Sequence, residues 1–504
     1  MRALTGRTGP VVRVLKWLAI VLLALALAFV ALIAWPVASA PLPQRNATTL
    51  IDNVRIVDVL AGTSGEPTRI LIHNGRIAAI ATDLTVPPDA FRIDARGKFV
   101  MPGLWDMHSH SWQVSPQLHL PLQLASGVTA VRDMMGCPEA DDPLIACHVD
   151  KQRWTASAGR GEMASPRFVA DASFFYEDAA LTPDAVRARL QEDARSGVDL
   201  LKVYNRLPKA SYEALMQASR QAGLEVVGHL PRAVPLHRAI AAGQHSFEHG
   251  RIFIEGCFAD AARWRRGALD SLPRPVLLRR MLEQRDQTYC DAQMARMAQS
   301  GTAFVPTLVT REEDARASDP AFMDDPRLVY ADPLSRWAYR DDASATLMAY
   351  ASPQDRALLE RTLQQAMADT LSAYRAGVPV LVGSDTIIAG PRLHDELGLL
   401  AEAGLTNAEV LRAATLDAAR FMRAQRDFGT IEPGKVADLI ILSADPLADI
   451  RNTRKLAGVM LNGHYYDAGG LAELKAFVQQ QAGHPANWAR MIWGFLTSSA
   501  GSSL

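Results

Sequence analysis

Residues 96–110 read RGKFVMPGLWDMHSH. A Pro-Gly pair leads into an apolar run at 104–110 that closes on His108-Ser109-His110. Alternate side chains of a strand point the same way, so the two imidazoles converge on one side. The same form, a short apolar run followed by a helical stretch, recurs along the chain. Strand-like segments fall at 104–110, 128–133, 166–171, 198–204, 224–229, 244–249, 303–309 and 378–385. Helical stretches separate most of them, among them TPDAVRARLQEDARSG (182–197) and KASYEALMQASRQAG (209–223), each closed by glycine at the C-cap position. Eight strands alternating with helices predict an α/β fold of the (β/α)8 TIM-barrel kind. Two connections, 250–302 and 310–377, exceed the usual unit and read as helical insertions forming a lid or pocket wall. Pro306 weakens the strand assignment around it.

Outside the barrel the pattern changes. TLIDNVRIVDV (49–59), RILIHNGRIAAIA (69–81) and FRIDARGKFV (91–100) alternate like strands, and Asn74-Gly75 is a hairpin turn signal. The style returns in VADLIILSADP (436–446) and LAGVMLNGHYYD (456–467), with Asn462-Gly463 as a second turn. One small composite β-sandwich domain assembled from both ends, 46–100 and 425–470, is the expected arrangement around a barrel spanning 101–424. A helical extension over 471–504 follows. Its apolar stretch around Trp488, Trp493 and Phe495 is too short to span a bilayer and is expected to pack back onto the fold.

The first 40 residues are a separate object. WLAIVLLALALAFVALIAW (17–35) is uncharged, Arg2, Arg7, Arg13 and Lys16 precede it, and the first acidic residue is Asp52. A helix of that length covers roughly 28 Å, close to a hydrocarbon core. Basic residues before an apolar run keep the N-terminus cytoplasmic and send the rest across the membrane. Ala38-Ser39-Ala40 has the small-x-small form of a signal peptidase site, so residues 1–40 read as a signal peptide or an uncleaved anchor. The predicted location is exported, periplasmic or otherwise extracytoplasmic.

The 504 residues carry 49% apolar types and a net charge of −1, which excludes a mainly disordered chain and any global basic field for nucleic acid. Residues 1–40 hold four basic and no acidic residues, so the remainder carries −5. Four cysteines cannot make a disulfide scaffold, but in an exported compartment Cys137 with Cys147 and Cys257 with Cys290 can form local bridges. Four buried thiols remain the alternative.

The chemistry lies at the strand ends, where a (β/α)8 barrel places functional side chains. Strand one supplies His108 and His110, strand four Lys202, strand five His229, strand six His249 and strand eight Asp385. Each has an ordinary alternative: HxH occurs by chance, a lone lysine makes a salt bridge, a lone histidine fills a core, and Asp385 caps a helix. Their joint occurrence at five strand ends is what points to a site. Imidazole and carboxylate suit zinc and its neighbours, and five such ligands suit two ions with one more anionic bridge. A buried Lys202 with a lowered pKa can supply that bridge as a carbamate formed with CO2. Glu248 and His245 are expected to be structural, Glu248 because a regular strand turns it away from His249.

Taken together, RGKFVMPGLWDMHSH, GVTAVRD, VDLLKVY, VVGHLP, HSFEHG, FVPTLV, VLVGSD, AGLTNAEVLRAATLDAAR and GTIEPGKVADLIIL resemble the metal-dependent amidohydrolase superfamily, in its imidazolonepropionase-like and prolidase-like branch, over roughly residues 49–470. The resemblance implies that His108, His110 and Asp385 hold one metal and His229 and His249 the other, with carboxylated Lys202 as the bridge. The N-terminal helix, the extension after about 470 and the enlarged late loops depart from the branch pattern. The activity so implied is hydrolysis of a C–N amide bond, in a dipeptide or an N-acyl amino acid, by a metal-bridging hydroxide with Asp385 as proton shuttle. Tyr204 is placed to hydrogen-bond the substrate carbonyl, and Arg206, Arg251 and Arg311 to pair with a substrate carboxylate. Lactone or ester hydrolysis uses the same core, a deaminase would leave Lys202 without a purpose, and a non-catalytic structural homologue would be expected to lose ligands. The expected partners are a small amide substrate and, if the helix is retained, the membrane; no nucleic acid is expected, and a homo-oligomer stays open.

Overall fold

A computed structural model describes residues 10–502; Arg2 and Arg7 of the basic flank lie outside the described residues. An eight-stranded mixed sheet draws on both ends of the chain. Its strands are β1 (Thr48–Asp58), β2 (Thr63–His73), β3 (Arg76–Ala81), β4 (Phe91–Asp94) and β5 (Phe99–Pro102), then, after seven intervening strands, β13 (Leu439–Leu442), β14 (Leu456–Leu461) and β15 (His464–Asp467). The order is β15-β14-β13-β5-β1-β2-β3, with β4 beside β1. The join between the two ends is the antiparallel pair of β13 and β5, Leu439 opposite Pro102. Both Asn-Gly pairs turn hairpins with positive φ at each residue, 48° and 75° at Asn74-Gly75 and 49° and 79° at Asn462-Gly463. The turns also abut: a Cβ on Gly463 would lie 2.8 Å from Cα of Gly75, so glycine is needed there for closeness as well as for φ.

Between these segments runs a TIM-barrel-type series of parallel strands with intervening helices. The strands β6 (Leu104–Ser109), β7 (Val128–Asp133) and β8 (Arg167–Asp171) form one parallel sheet. The strands β9 (Leu200–Val203), β10 (Glu225–Gly228), β11 (Ser246–Glu248) and β12 (Ala303–Val305) form another. Parallel bridges at Ala172–Leu200 and Tyr176–Val203 link the two sheets. On the other side Phe304 bridges to Val380, and the Met107 amide donates to the Val382 carbonyl at 2.8 Å. Nearly all the residues of these strands are buried, as expected where helices cover a parallel sheet.

Two strands are shorter than the apolar runs in the sequence imply. The run at 303–309 is strand only to Val305; Pro306 lacks an N–H, Thr307 turns to φ 41°, and Leu308–Arg316 is helix. The run at 378–385 carries the bridge and the backbone bonds above but no continuous ladder, since Pro379 cannot donate and only its carbonyl pairs, with the Phe304 amide.

The helix Pro10–Ile33 is apolar enough to cross a membrane over Val11–Ile33, and none of that stretch is buried. The chain after it is tied down: the Gln117 amide donates to Ala38 O, Tyr466 O–H to Pro41 O, and Gln44 bridges to Tyr465. The C-terminal helix Pro485–Thr497 packs back onto the fold beside it, with the Arg490 guanidinium on the Trp35 carbonyl and the rings of Trp112 and Phe495 tilted against each other, centroids 5.9 Å apart. Cys137 is bonded to Cys147 and Cys257 to Cys290.

Candidate metal centre

Six side chains named from the sequence meet at the C-terminal ends of the parallel strands. His108 lies on β6 with His110 just past it, Lys202 on β9, His229 one residue past β10 and His249 one residue past β11. Asp385 ends the segment alongside β6, its amide donating to the His108 carbonyl at 2.9 Å. The close fit of β9 against β10 needs Gly228, where a Cβ would lie 2.3 Å from the Val203 carbonyl.

The Asp385 carboxylate is the hub. It lies 3.0 Å from His110 Nε2, 3.6 Å from His249 Nδ1 and 3.9 Å from His108 Nε2. His229 Nε2 and His249 Nε2 face each other at 3.0 Å, and Lys202 Nζ is 3.4 Å from His108 Nε2. Burial holds the imidazoles of His229 and His249 well below their ordinary pKa, and that of His108 down to about 4. Burial opposes the charge on Asp385, but the surrounding imidazoles hold its carboxyl well below the usual range. Burial also brings the Lys202 amine from 10.5 to about 8, against the pull of Glu248 and Asp385.

This donor set fits divalent cations. Neutral imidazoles offer lone pairs, and His229 Nε2 and His249 Nε2, 3.0 Å apart, can turn both of theirs to one cation when each ring carries its proton on Nδ1. His110 Nδ1 is buried with no partner among the described residues. One ligand atom from each of His108, His249 and Asp385 lies within 4.8 Å of the others. Nitrogen and carboxylate ligands of this kind match zinc and similar ions. His249 (φ 70°), Thr307 (φ 41°) and Asp385 (φ 47°) all hold left-handed backbone here, which ordinary residues adopt only where their surroundings force it.

Glu248 requires a correction. Regular alternation sends it away from His249, but β11 ends at Glu248 and the positive φ of His249 breaks the period, so both side chains reach the centre. Glu248 Oε2 accepts from His108 Nδ1 at 3.0 Å, and both carboxylate oxygens accept from Arg132 at 2.9 and 3.0 Å. Burial opposes its ionisation, yet Arg132 and His108 hold the carboxyl well below the ordinary range. A carboxylate hydrogen-bonded to a histidine fixes which nitrogen is free to bind metal. Arg132, fully buried, also donates to the Met107 carbonyl, and Thr307 Oγ1 sits 2.8 Å from His249 Nδ1. From the sequence Glu248 is expected to be structural, and Arg132 and Thr307 have no assigned role. The available signal was charge inside apolar strands, since a buried carboxylate and a buried guanidinium each need a partner. His245 faces the other way, 3.0 Å from Glu225 and stacked on Phe421.

Two cavities share Asp385 and Tyr204. The smaller, about 250 Å³, also has Asn205, His229, His249, Arg251 and Arg311 in its wall. The larger, about 650 Å³, is walled mainly by apolar side chains and reaches His110. The Tyr204 ring stacks on His229 at 3.9 Å, and burial raises its pKa. Arg251 pairs with Glu255 at 2.6 Å and Arg311 with Asp314 at 2.5 Å. Arg206 is mostly exposed, pairs with Glu177 at 3.1 Å, and is not among the described residues that line either cavity.

Residues 328–465 match the Amidohydrolase family. A deacetylase of Agrobacterium fabrum is 37% identical over 100 residues, 19% of this chain and 25% of that protein. The chain thus spans about a quarter of the length of this curated relative. Among solved structures, bottromycin amidohydrolase aligns with a TM-score of 0.65 at 25% identity, covering 89% of this chain and 93% of its own. A Xaa-Pro dipeptidase with bound methionine aligns with a TM-score of 0.59 at 20% identity, covering 84% of this chain and all of its own, a likeness of fold.

Proposed function

From the premise that this chain belongs to the amidohydrolase superfamily, with prolidase-like structural relatives, we propose that it is an exported, binuclear metal-dependent hydrolase of a C–N amide bond. The observation that carries this is the convergence of four histidines and Asp385 beside the buried Lys202, at the junction of two cavities. His108, His110 and Asp385 would hold one ion and His229 and His249 the other, with Lys202 carrying CO2 as a carbamate between them. Held there, divalent ions, zinc by ligand preference, supply Lewis-acid activation of water and of the scissile carbonyl.

The remaining work falls to the side chains. Asp385 accepts a proton from the attacking water and returns it to the departing nitrogen, so the acyl carbon gains the hydroxyl and the amine leaves neutral. Tyr204, between the two cavities, donates to the substrate carbonyl. Arg251 and Arg311 give the smaller cavity the cations that a dipeptide or N-acyl amino acid carboxylate needs. Glu248 and Arg132 hold His108 in one tautomer. Export is supported by the unburied apolar helix Pro10–Ile33 and by two disulfides, which persist in oxidising compartments.

The deciding experiment is metal analysis of the gently purified protein, followed by a screen against dipeptides, N-acyl amino acids and lactones with Zn²⁺ and bicarbonate supplied. Two ions per chain and release of free amino acid are expected. Metal-free protein, or turnover of lactones alone, would overturn the proposal.

A further inference from the structure

The larger cavity is built unlike the smaller one. Its about 650 Å³ lie between Trp112, Leu334, Trp337, Met491, Phe495 and Leu496, and it opens directly onto His110 and Asp385. Among the described residues no lysine or arginine lines it, and apart from Asp385 its charged groups are Glu313 and Asp342. A substrate carboxylate therefore has no reason to enter this side, whereas Arg251 and Arg311 stand in the wall of the other. On the helix Pro333–Ala349 the polar atoms are those of Ser335, Tyr339 and Asp342, beside apolar Leu334, Trp337 and Ala338, so a peptide backbone would find few partners along that wall. The side chain of a single apolar amino acid would leave most of the volume to water. The rim is apolar as well: Trp337 is 66% exposed and Leu496 74%, far beyond what a closed soluble surface needs. Leu496 lies on the helix Pro485–Thr497, which packs beside the membrane-length helix Pro10–Ile33, with Arg490 on the Trp35 carbonyl just past it, and Trp337 lies on the helix Pro333–Ala349.

We propose that the substrate is an amphiphilic amide, an N-acyl amino acid with a medium or long fatty-acyl chain. The chain fills the apolar cavity, the amide lies at the metal centre by Tyr204 and Asp385, and the carboxylate faces Arg251 and Arg311. This rests on the amide-hydrolase reading above and adds the acyl group to it. Attack of water on the acyl carbon breaks the C–N bond, giving a fatty acid in one cavity and a free amino acid in the other. The placement of the cavity mouth beside the N-terminal helix brings it to the surface where such amphiphiles concentrate.

The test uses the full chain in lipid nanodiscs, loaded with zinc. N-acyl-alanines with acetyl, octanoyl, dodecanoyl and hexadecanoyl groups, each below its micelle concentration, are compared by release of alanine. A methylene moved from water into an apolar site is worth about fourfold, so kcat/KM should rise at least about 100-fold from acetyl to dodecanoyl. Equal or falling values overturn the acyl site. A second readout does not need turnover: brominated dodecanoic acid should quench Trp112 and Trp337 fluorescence saturably, and bromoacetate should not. Leu334→Arg, and the largely exposed Leu496→Asp in case the first fails to fold, should each weaken that quenching and lower the dodecanoyl-to-acetyl ratio at least about tenfold. Quenching without hydrolysis of any member would sink the amide-hydrolase reading and keep the acyl site; hydrolysis with neither chain-length dependence nor quenching would do the reverse.

Discussion

At the scale of single residues, the centre is governed by two carboxylates with different work. Asp385 lies within 3.0–3.9 Å of three imidazoles and carries the proton in the proposed reaction. Asp385→Asn keeps an oxygen donor but cannot hold that proton, so kcat should fall by about 10²–10⁴ while much of the metal stays bound. Wild-type turnover in Asp385→Asn would show the shuttle to lie elsewhere. Glu248 acts through His108, and Glu248→Gln leaves Arg132 without its carboxylate and the His108 Nδ1 partner uncharged. Chelator competition should show a loss of metal affinity of about 10–100-fold, and an unchanged affinity would confine Glu248 to packing. Asp385 was legible in the sequence because its strand-end position is local information. Glu248 was not, because its role depends on the backbone reversal at His249 and on a partner 140 residues away.

At the scale of elements, apolar runs marked where strands begin better than where they end. Val305 and Val380 show why: Pro306 and left-handed Thr307 stop the ladder after Val305, and Pro379, which cannot donate, interrupts it before Val380, although hydrophobicity continues through both runs. The helix that follows β12 is braced from below by Glu396, on the helix Leu393–Glu402, whose carboxylate accepts from the Val309 amide at 2.9 Å. Burial raises this carboxyl from 4.5 to about 8, against its backbone hydrogen bonds and Arg392. A folded-state pKa above the unfolded one means the folded protein holds the proton more tightly. The resulting stability is full below about pH 4.5 and is lost as pH rises through about 8. Glu396→Gln, which keeps an acceptor and cannot ionise, should remove that slope. Urea unfolding at pH 5 and pH 8 should show the native protein losing on the order of a few kcal/mol more than the variant; parallel losses would place the slope in other groups.

At the scale of the whole molecule, two distant stretches of chain complete one sheet, and the helix Pro485–Thr497, packed beside the helix Pro10–Ile33, lines the larger cavity. The export reading is tested at this scale: a phosphatase that folds only in an oxidising compartment, fused behind residue 60, should be active in cells, and an inactive, protease-shielded fusion would place the chain in the cytoplasm. The sequence by itself determined the series of strands, the two Asn-Gly turns, the membrane-length helix and the histidines, Asp385 and Lys202 at strand ends, because period-two patterning, turn chemistry and strand-end position are local properties of neighbouring residues. Only the tertiary structure decided that Glu248 and Arg132 hold His108, that Arg206 stands outside the two cavities, and that an apolar chamber and one with two arginines in its wall flank one aspartate. Those facts follow from many weak contacts between residues far apart in the chain, and from backbone reversals that a repeating pattern cannot announce.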